Sequence, residues 1–395
     1  MTLLQEKLAA FTAPQEAKAK GIYPYFRAIG SDQDTEVMMN GKKVLMFGSN
    51  AYTGLTNHPR VKAAAIEMTE KYGTGCAGSR FLNGTLDIHE KLEQRLAAFV
   101  GKEEAMMYST GFFANMGTIS CLTGREDYVI WDELDHASII EGKRLTFSQT
   151  LKFKHNDMAS LEKVLRKCEP NRVKLIVVDG VFSMEGDIAN LPDIVTLAKK
   201  YNASVMVDEA HSLGVFGKNG RGICDHYGLT NDVDIIMGTF SKSLASIGGF
   251  IATDSITANY LRHTARPFIF SASPTPAAVG AVNAALDILE SEPERIKRLW
   301  DLTHYSLKRC NDAGFEIGNT STPIIPLFVR DFEKTLMVTR MLLDAGIFVN
   351  PVVPPAVPSG DTLIRFSLMA THTKEQIDYA IDNIERVFRE LEIIK

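Results

Sequence analysis

The chain holds 395 residues, 45% of them hydrophobic and 23% charged, with a formal net charge of −5. That profile is of a globular protein too long for one ordinary core, so two packed domains are expected. The slight acidity excludes the basic stripe of a nucleic-acid footprint, and five scattered cysteines without a C-x-x-C pair exclude a disulfide framework or thiolate metal site.

The N-terminal MTLLQEKLAAFTAPQEAKAKG is charged throughout and lacks the apolar stretch and cleavage site of a secretory signal. No uncharged apolar run nears the roughly 18 residues of a membrane span. The expected location is the cytoplasm, with peripheral contact at the inner membrane face left open. Residues 1–50 read as an arm with a helix and one or two short strands. Its apolar YPYF at 23–26 reads as core packing rather than as the lining of an acyl channel.

Residues 51–289 read as a large α/β domain. Short apolar runs, EAMMYS at 104–109, YVIWD at 128–132, LIVVDG at 175–180, SVMVDE at 204–209 and VDIIMG at 233–238, alternate with helical patterns such as LPDIVTLAKKYN at 191–202. Runs that are apolar throughout, rather than at every second residue, fit strands buried on both faces of a mainly parallel sheet. Residues 290–395 read as a smaller α/β domain. A charged helix precedes the strand-like IIPLFV, a helix ending at Gly346, a rigid proline-rich loop at 351–358, the strand-like LIRFSLM and a final helix from near Thr373. No fixed-period repeat or low-complexity tract is present.

In open parallel sheets, ligands bind where strands end and loops begin. Asp208 ends one predicted strand, His211 follows three residues later, and Lys242 lies just past another, flanked by Thr239, Ser241 and Ser243. A carboxylate such as Asp208 can keep a pyridinium nitrogen protonated, and a lysine in an apolar, cation-rich site becomes nucleophilic near neutral pH. The helix start in STGFFANMG offers the N–H groups of Gly111 and Phe112 to a phosphate. Taken singly, each feature has a plainer reading: Asp208 as a helix cap, Lys242 as a solvated lysine, His136 as a core histidine, Arg365 as a salt-bridge partner. Glu209 reads as a structural carboxylate, and GTGCAGSR lacks the lysine of a nucleotide-binding phosphate loop.

Six segments, GTGCAGSRFLNGT, STGFFAN, DELDHASI, DGVFSMEGD, VDEAHSLGVFG and GTFSKSL, resemble in matching order the signatures of the α-oxoamine synthases, from about residue 20 to the end. The resemblance implies a fold-type-I transferase of the aspartate-aminotransferase type. It implies pyridoxal 5′-phosphate as cofactor and a homodimer with shared active sites. By the same resemblance Lys242 carries the cofactor as a Schiff base, Asp208 pairs with the ring nitrogen, and His211 and Ser183 serve the ring hydroxyl. His136 would stack on the ring, and Thr239, Ser241, Gly111 and Phe112 would hold the phosphate. Ser271 and Ala272 would reach it from the second subunit. Arg365 would clamp the amino-acid carboxylate, and Asn50 would reach the substrate. The implied reaction is a decarboxylative condensation of L-serine with a long acyl-CoA. Cysteate, or alanine with a pimeloyl thioester, are the alternatives, and a cofactor-binding protein without turnover is the rival of another class. One departure bears on the amino acid: the family's Y-L-G-L is Tyr52-Thr53-Gly54-Leu55 here.

Overall fold

A computed structural model describes residues 1–395. By internal packing the chain divides into two compact units, Asn50–Trp300 and a unit combining Met1–Ser49 with Asp301–Lys395. The N-terminal arm thus groups with the C-terminal segment, and the division falls inside the helix Glu294–Asp312.

The larger unit is built on a seven-stranded sheet. Its strands are β1 (Glu104–Tyr108), β2 (Tyr128–Asp132), β3 (Gln149–Phe153), β4 (Lys174–Asp179), β5 (Ser204–Asp208), β6 (Ile235–Thr239) and β7 (Gly249–Thr253). They lie in the order β1-β7-β6-β5-β4-β2-β3. The five strands β2 to β6 are mutually parallel, whereas β7 runs antiparallel to both of its neighbours. Every residue of β4 is buried, as its unbroken apolar run requires in a sheet covered on both faces. Met106, Val129, Val177, Met206, Met237 and Ile251 pack with Ala114 and Ile119 of the helix Gly111–Leu122 into one core. Each of the valine, isoleucine and methionine side chains contributes about 1.5–3 kcal/mol on burial.

Two strands escaped the sequence reading. β3 is a polar edge strand whose Gln149, Thr150 and Lys152 are exposed, so no apolar run marks it. β7, GFIAT, is wholly buried but opens on a glycine pair that reads as a turn.

In the smaller unit, Glu36–Met39 and Lys42–Met46 form a hairpin, joined parallel by Ile347–Phe348. Asn40 and Gly41 turn it with φ of 49° and 76°, the left-handed pair that a two-residue hairpin turn demands. A second sheet pairs Leu363–Ser367 with Ile324–Phe328 and Asn350–Val352. The proline-rich run is therefore partly strand. Thr373 caps the last helix, Lys374–Glu390, in a reciprocal capping box with Gln376. No helix is long and apolar enough to cross a membrane.

Candidate active site

Parallel strands end at one edge of their sheet. Asp132, Asp179, Asp208 and Thr239 are the last residues of β2, β4, β5 and β6, so the loops bearing His136, Ser183, His211 and Lys242 leave from that shared edge. Asp179 and Asp208 are direct cross-strand partners.

The antiparallel β7 brings the phosphate-binding candidates into register. Tyr108, ending β1, and Thr239, ending β6, both pair with Gly249. A side chain on Gly249 would lie 2.5 Å from the Gly111 Cα, and one on Gly111 would lie 2.8 Å from Thr239 Oγ1. Two glycines therefore let the helix start at Gly111 sit against Thr239, whose hydroxyl is 3.0 Å from that of Ser241. Thr110 caps the helix, accepting the Phe113 N–H through its side chain and the Ala114 N–H through its carbonyl. The N–H groups of Gly111 and Phe112 are left for an anion, where the helix dipole favours one.

Asp208 is 2% exposed. Its Oδ1 accepts the Ala210 N–H at 2.8 Å and its Oδ2 accepts Asn115 Nδ2 at 2.7 Å. Both donors are neutral, and the carboxylate makes no ion pair. A buried charge in that state calls for a cationic N–H partner. Asn115 also donates to Ser138 Oγ at 2.8 Å, and Ser138 meets His136 Nδ1 at 2.7 Å. The Ser138 backbone N–H donates to the same Nδ1, at 3.2 Å, as His136 caps the helix Ala137–Leu145. Nδ1 is thus an acceptor, and the neutral ring carries its proton on Nε2. Burial lowers the His136 pKa, with Asp208 opposing and Lys242 reinforcing the shift.

Behind these residues lies an acidic scaffold. Asp179 Oδ2 accepts the His136 N–H at 2.7 Å, and Asp135 accepts the Asp179 and Asp132 N–H groups at 2.9 Å each. Burial pushes the Asp179 carboxyl well above the usual range, with Asp208 adding to it. Asp135 is raised by burial and then by Asp179. The scaffold aims the His136 loop through backbone N–H groups.

His211 is buried, and its Nδ1 lies 2.7 Å from Tyr52 Oη, which also donates to Asn50 Oδ1 at 3.4 Å. Next to them Thr53, 1% exposed, donates its hydroxyl to the Ser243 carbonyl at 2.6 Å, one residue past Lys242. The departure from the family pattern therefore serves the lysine loop. Glu209 is structural, as expected: it accepts Ser212 Oγ and the N–H groups of Ile223 and Cys224 at 2.7 and 2.8 Å.

Ala272 and its neighbour Ser273 join GTGCAGSR directly. Ser79 bridges Ala272, and the Ser273 N–H donates to the Gly78 carbonyl at 3.0 Å. Phe81, Leu82 and Phe270 stand exposed beside this pairing at 47%, 75% and 74%. Arg365 belongs to the smaller unit, buried on Leu363–Ser367 with Nη1 donating to Ser367 Oγ at 2.6 Å.

Asn115 and Tyr52 are the residues the sequence reading missed. Both sit inside quoted motifs, and Asn115 had a signal: an amide four residues into an apolar helix, one turn past Gly111. The donor set fits pyridoxal phosphate, with an anion cradle at one end, a buried carboxylate without a cation at the other, and a lysine on the same edge.

The comparisons agree with that reading. The family model for class I and II aminotransferases matches residues 42–384. A serine palmitoyltransferase of Bacteroides thetaiotaomicron is 65% identical over 100% of both chains. Another, of Sphingobacterium spiritivorum, is 57% identical over 99% of this chain and 98% of its own. A solved serine palmitoyltransferase from S. paucimobilis, with a bound PLP–myriocin aldimine, superposes with a TM-score of 0.96 at 37% identity, covering 100% of both chains. The chain belongs to the class I and II aminotransferase family of fold-type-I transferases, and within it to the α-oxoamine synthases that include the bacterial serine palmitoyltransferases.

Proposed function

We propose that this chain condenses L-serine with a long-chain acyl-CoA to give 3-ketodihydrosphingosine, CoA and CO2, using pyridoxal 5′-phosphate. The observation that carries the reading is the buried, cation-free Asp208 on the strand edge that also bears Lys242 and His136. The full-length likeness to serine palmitoyltransferases supports the choice of substrates.

Bound pyridoxal phosphate supplies an electron sink for a carbanion at the amino-acid Cα. Lys242 would hold the cofactor covalently, and its Nζ would serve as the acceptor for the Cα proton. Asp208 keeps the proton on the ring nitrogen, fixed in place by Asn115 and Ala210. His136 has its Nδ1 occupied by Ser138, which leaves Nε2–H for the substrate carboxylate, and its ring would lie against the cofactor. His211, held by Tyr52, and Ser183 serve the ring hydroxyl. Thr239, Ser241, Gly111 and Phe112 bind the phosphate, and Asn50 and Arg365 bind the amino acid. A sulfonate would need additional donors, and the Thr53 hydroxyl is committed to Ser243. That favours serine over cysteate.

A panel of serine, cysteate, glycine and alanine against short and long acyl thioesters, read as thiol release, tests this. Serine with a long-chain acyl-CoA is expected to show the highest kcat/KM. A tenfold or greater preference for cysteate or alanine overturns the serine assignment.

Arg365→Ala is expected to weaken amino-acid binding about 10- to 150-fold, because a charge-assisted hydrogen bond contributes about 1.5–3 kcal/mol. Pyridoxal phosphate affinity should stay nearly unchanged. Titrating the cofactor absorbance with serine measures both, and unchanged serine affinity moves the clamp elsewhere.

The paired segments 78–79 and 272–273, with exposed Phe81, Leu82 and Phe270 beside them, support a dimer in which Ser271 and Ala272 reach the partner's phosphate. Mixing Lys242→Ala protomers with protomers carrying a bulky replacement of Ala272 should restore one working site per heterodimer. A verified heterodimer without activity argues for a site complete within one chain.

A further inference from the structure

One half-buried histidine takes no part in the chemistry proposed above. His155 lies in the loop after β3, its side chain 21% exposed. Its Nδ1 is 3.0 Å from Asp132 Oδ1 and its Nε2 is 2.7 Å from Asp187 Oδ2. A ring that donates from both nitrogens is the cation. Burial opposes that charge, but Asp132 and Asp187 prevail and push the pKa up to about 10.

The two carboxylates belong to different functional loops. Asp132 ends β2, four residues before His136, and also accepts the N–H groups of Leu134 and Asn156 at 3.0 Å each. Asp187 lies four residues after Ser183 in a tight turn, where the Phe182 N–H donates to the Asp187 carbonyl at 3.0 Å. The Phe182 ring meets the imidazole edge-on, 4.4 Å between centroids. Asn156, at φ 49°, reinforces the join by donating to Asp187 Oδ2 and the Ile188 carbonyl at 3.1 Å each. Without a cation the two carboxylates would face each other as like charges. A neutral side chain also lacks the two opposed donors that span the gap.

We infer that His155 is a positioning residue: its imidazolium, bridging Asp132 and Asp187, sets the separation of the His136 and Ser183 loops around the cofactor ring. The inference rests on the cofactor reading proposed above.

The test measures pyridoxal phosphate affinity and the visible circular dichroism of the bound cofactor in wild type, His155→Gln, Ser183→Ala and the double variant. His155→Gln should keep the far-ultraviolet spectrum, bind the cofactor about tenfold or more weakly and lose visible dichroic intensity. Its penalty should shrink in the Ser183→Ala background, because coupled sites are non-additive. Wild-type affinity and dichroism in His155→Gln, even with a lower Tm, reduce the residue to a staple of the fold and overturn the inference. An undiminished penalty in the double variant overturns it too. Should His155→Gln fail to fold, Asp187→Asn, which keeps an acceptor but removes one charge, is held to the same readouts. Failure of both to fold also overturns the inference, assigning the cluster to stability alone. Wild-type protein that binds no pyridoxal phosphate would instead sink the cofactor reading itself.

Discussion

Lys242→Ala is expected to cut turnover by at least about 1,000-fold while leaving the fold intact, since both the covalent attachment and the proton acceptor are lost. The loop is held by backbone hydrogen bonds. The Phe240 N–H donates to the Gly248 carbonyl, Ser246 N–H to Phe240 and Ala245 N–H to the Lys242 carbonyl, at 3.0, 2.9 and 3.1 Å. Phe240 and Leu244 are buried on either side. Noncovalent uptake of pyridoxal phosphate should therefore survive. Borohydride reduction followed by peptide mass spectrometry should find the cofactor on Lys242 in the wild type and on no lysine in the variant. Recovery on another lysine in the wild type reassigns the attachment site.

Asp208→Asn is expected to slow removal of the serine Cα proton by at least about 100-fold, the scale of losing one preorganised electrostatic partner. An amide carries no charge to keep the ring nitrogen protonated. Its single oxygen also replaces two acceptors, those now facing the Ala210 N–H and Asn115 Nδ2. The buried Asn115 Oδ1 has no hydrogen-bond partner. Turning the Asn115 amide lets that oxygen accept from the new NH2 group, so the variant should fold with a loss of about 1–3 kcal/mol. Deuterium exchange at the serine Cα checks the prediction. Exchange at the wild-type rate in a folded variant would remove Asp208 from the ring nitrogen.

Legibility followed burial except at β7, which is wholly buried but masked by its glycine pair. β4 and β5 show as unbroken apolar runs because both faces are covered, whereas β3 is hidden by Gln149, Thr150 and Lys152 on an exposed edge. The turn at Asn40-Gly41 and the cap at Thr373 are local chemistry, and such features can be read from a few residues. Thr53 shows the opposite case. As a departure from the family pattern it put the identity of the amino acid in question, but its partner is a carbonyl 190 residues along the chain.

By itself the sequence determined most of the element types and the α/β class, and it named the candidate reactive residues. Strand periodicity, caps and loop motifs depend on neighbours within a few positions, and six ordered motifs leave little freedom in which family they describe. Only the tertiary structure decided what those residues touch. The meeting of Gly111 with Thr239 depends on two strands sharing Gly249 as partner. The proton arrangement at His136 depends on Asn115 reaching both Ser138 and Asp208 across separations of 23 and 93 residues. The charge on His155 depends on Asp132 and Asp187 arriving from opposite directions along the chain. Hydrogen bonds and buried charges respond to distance in space, and spacing along the chain carries none of that information until the sheet is closed.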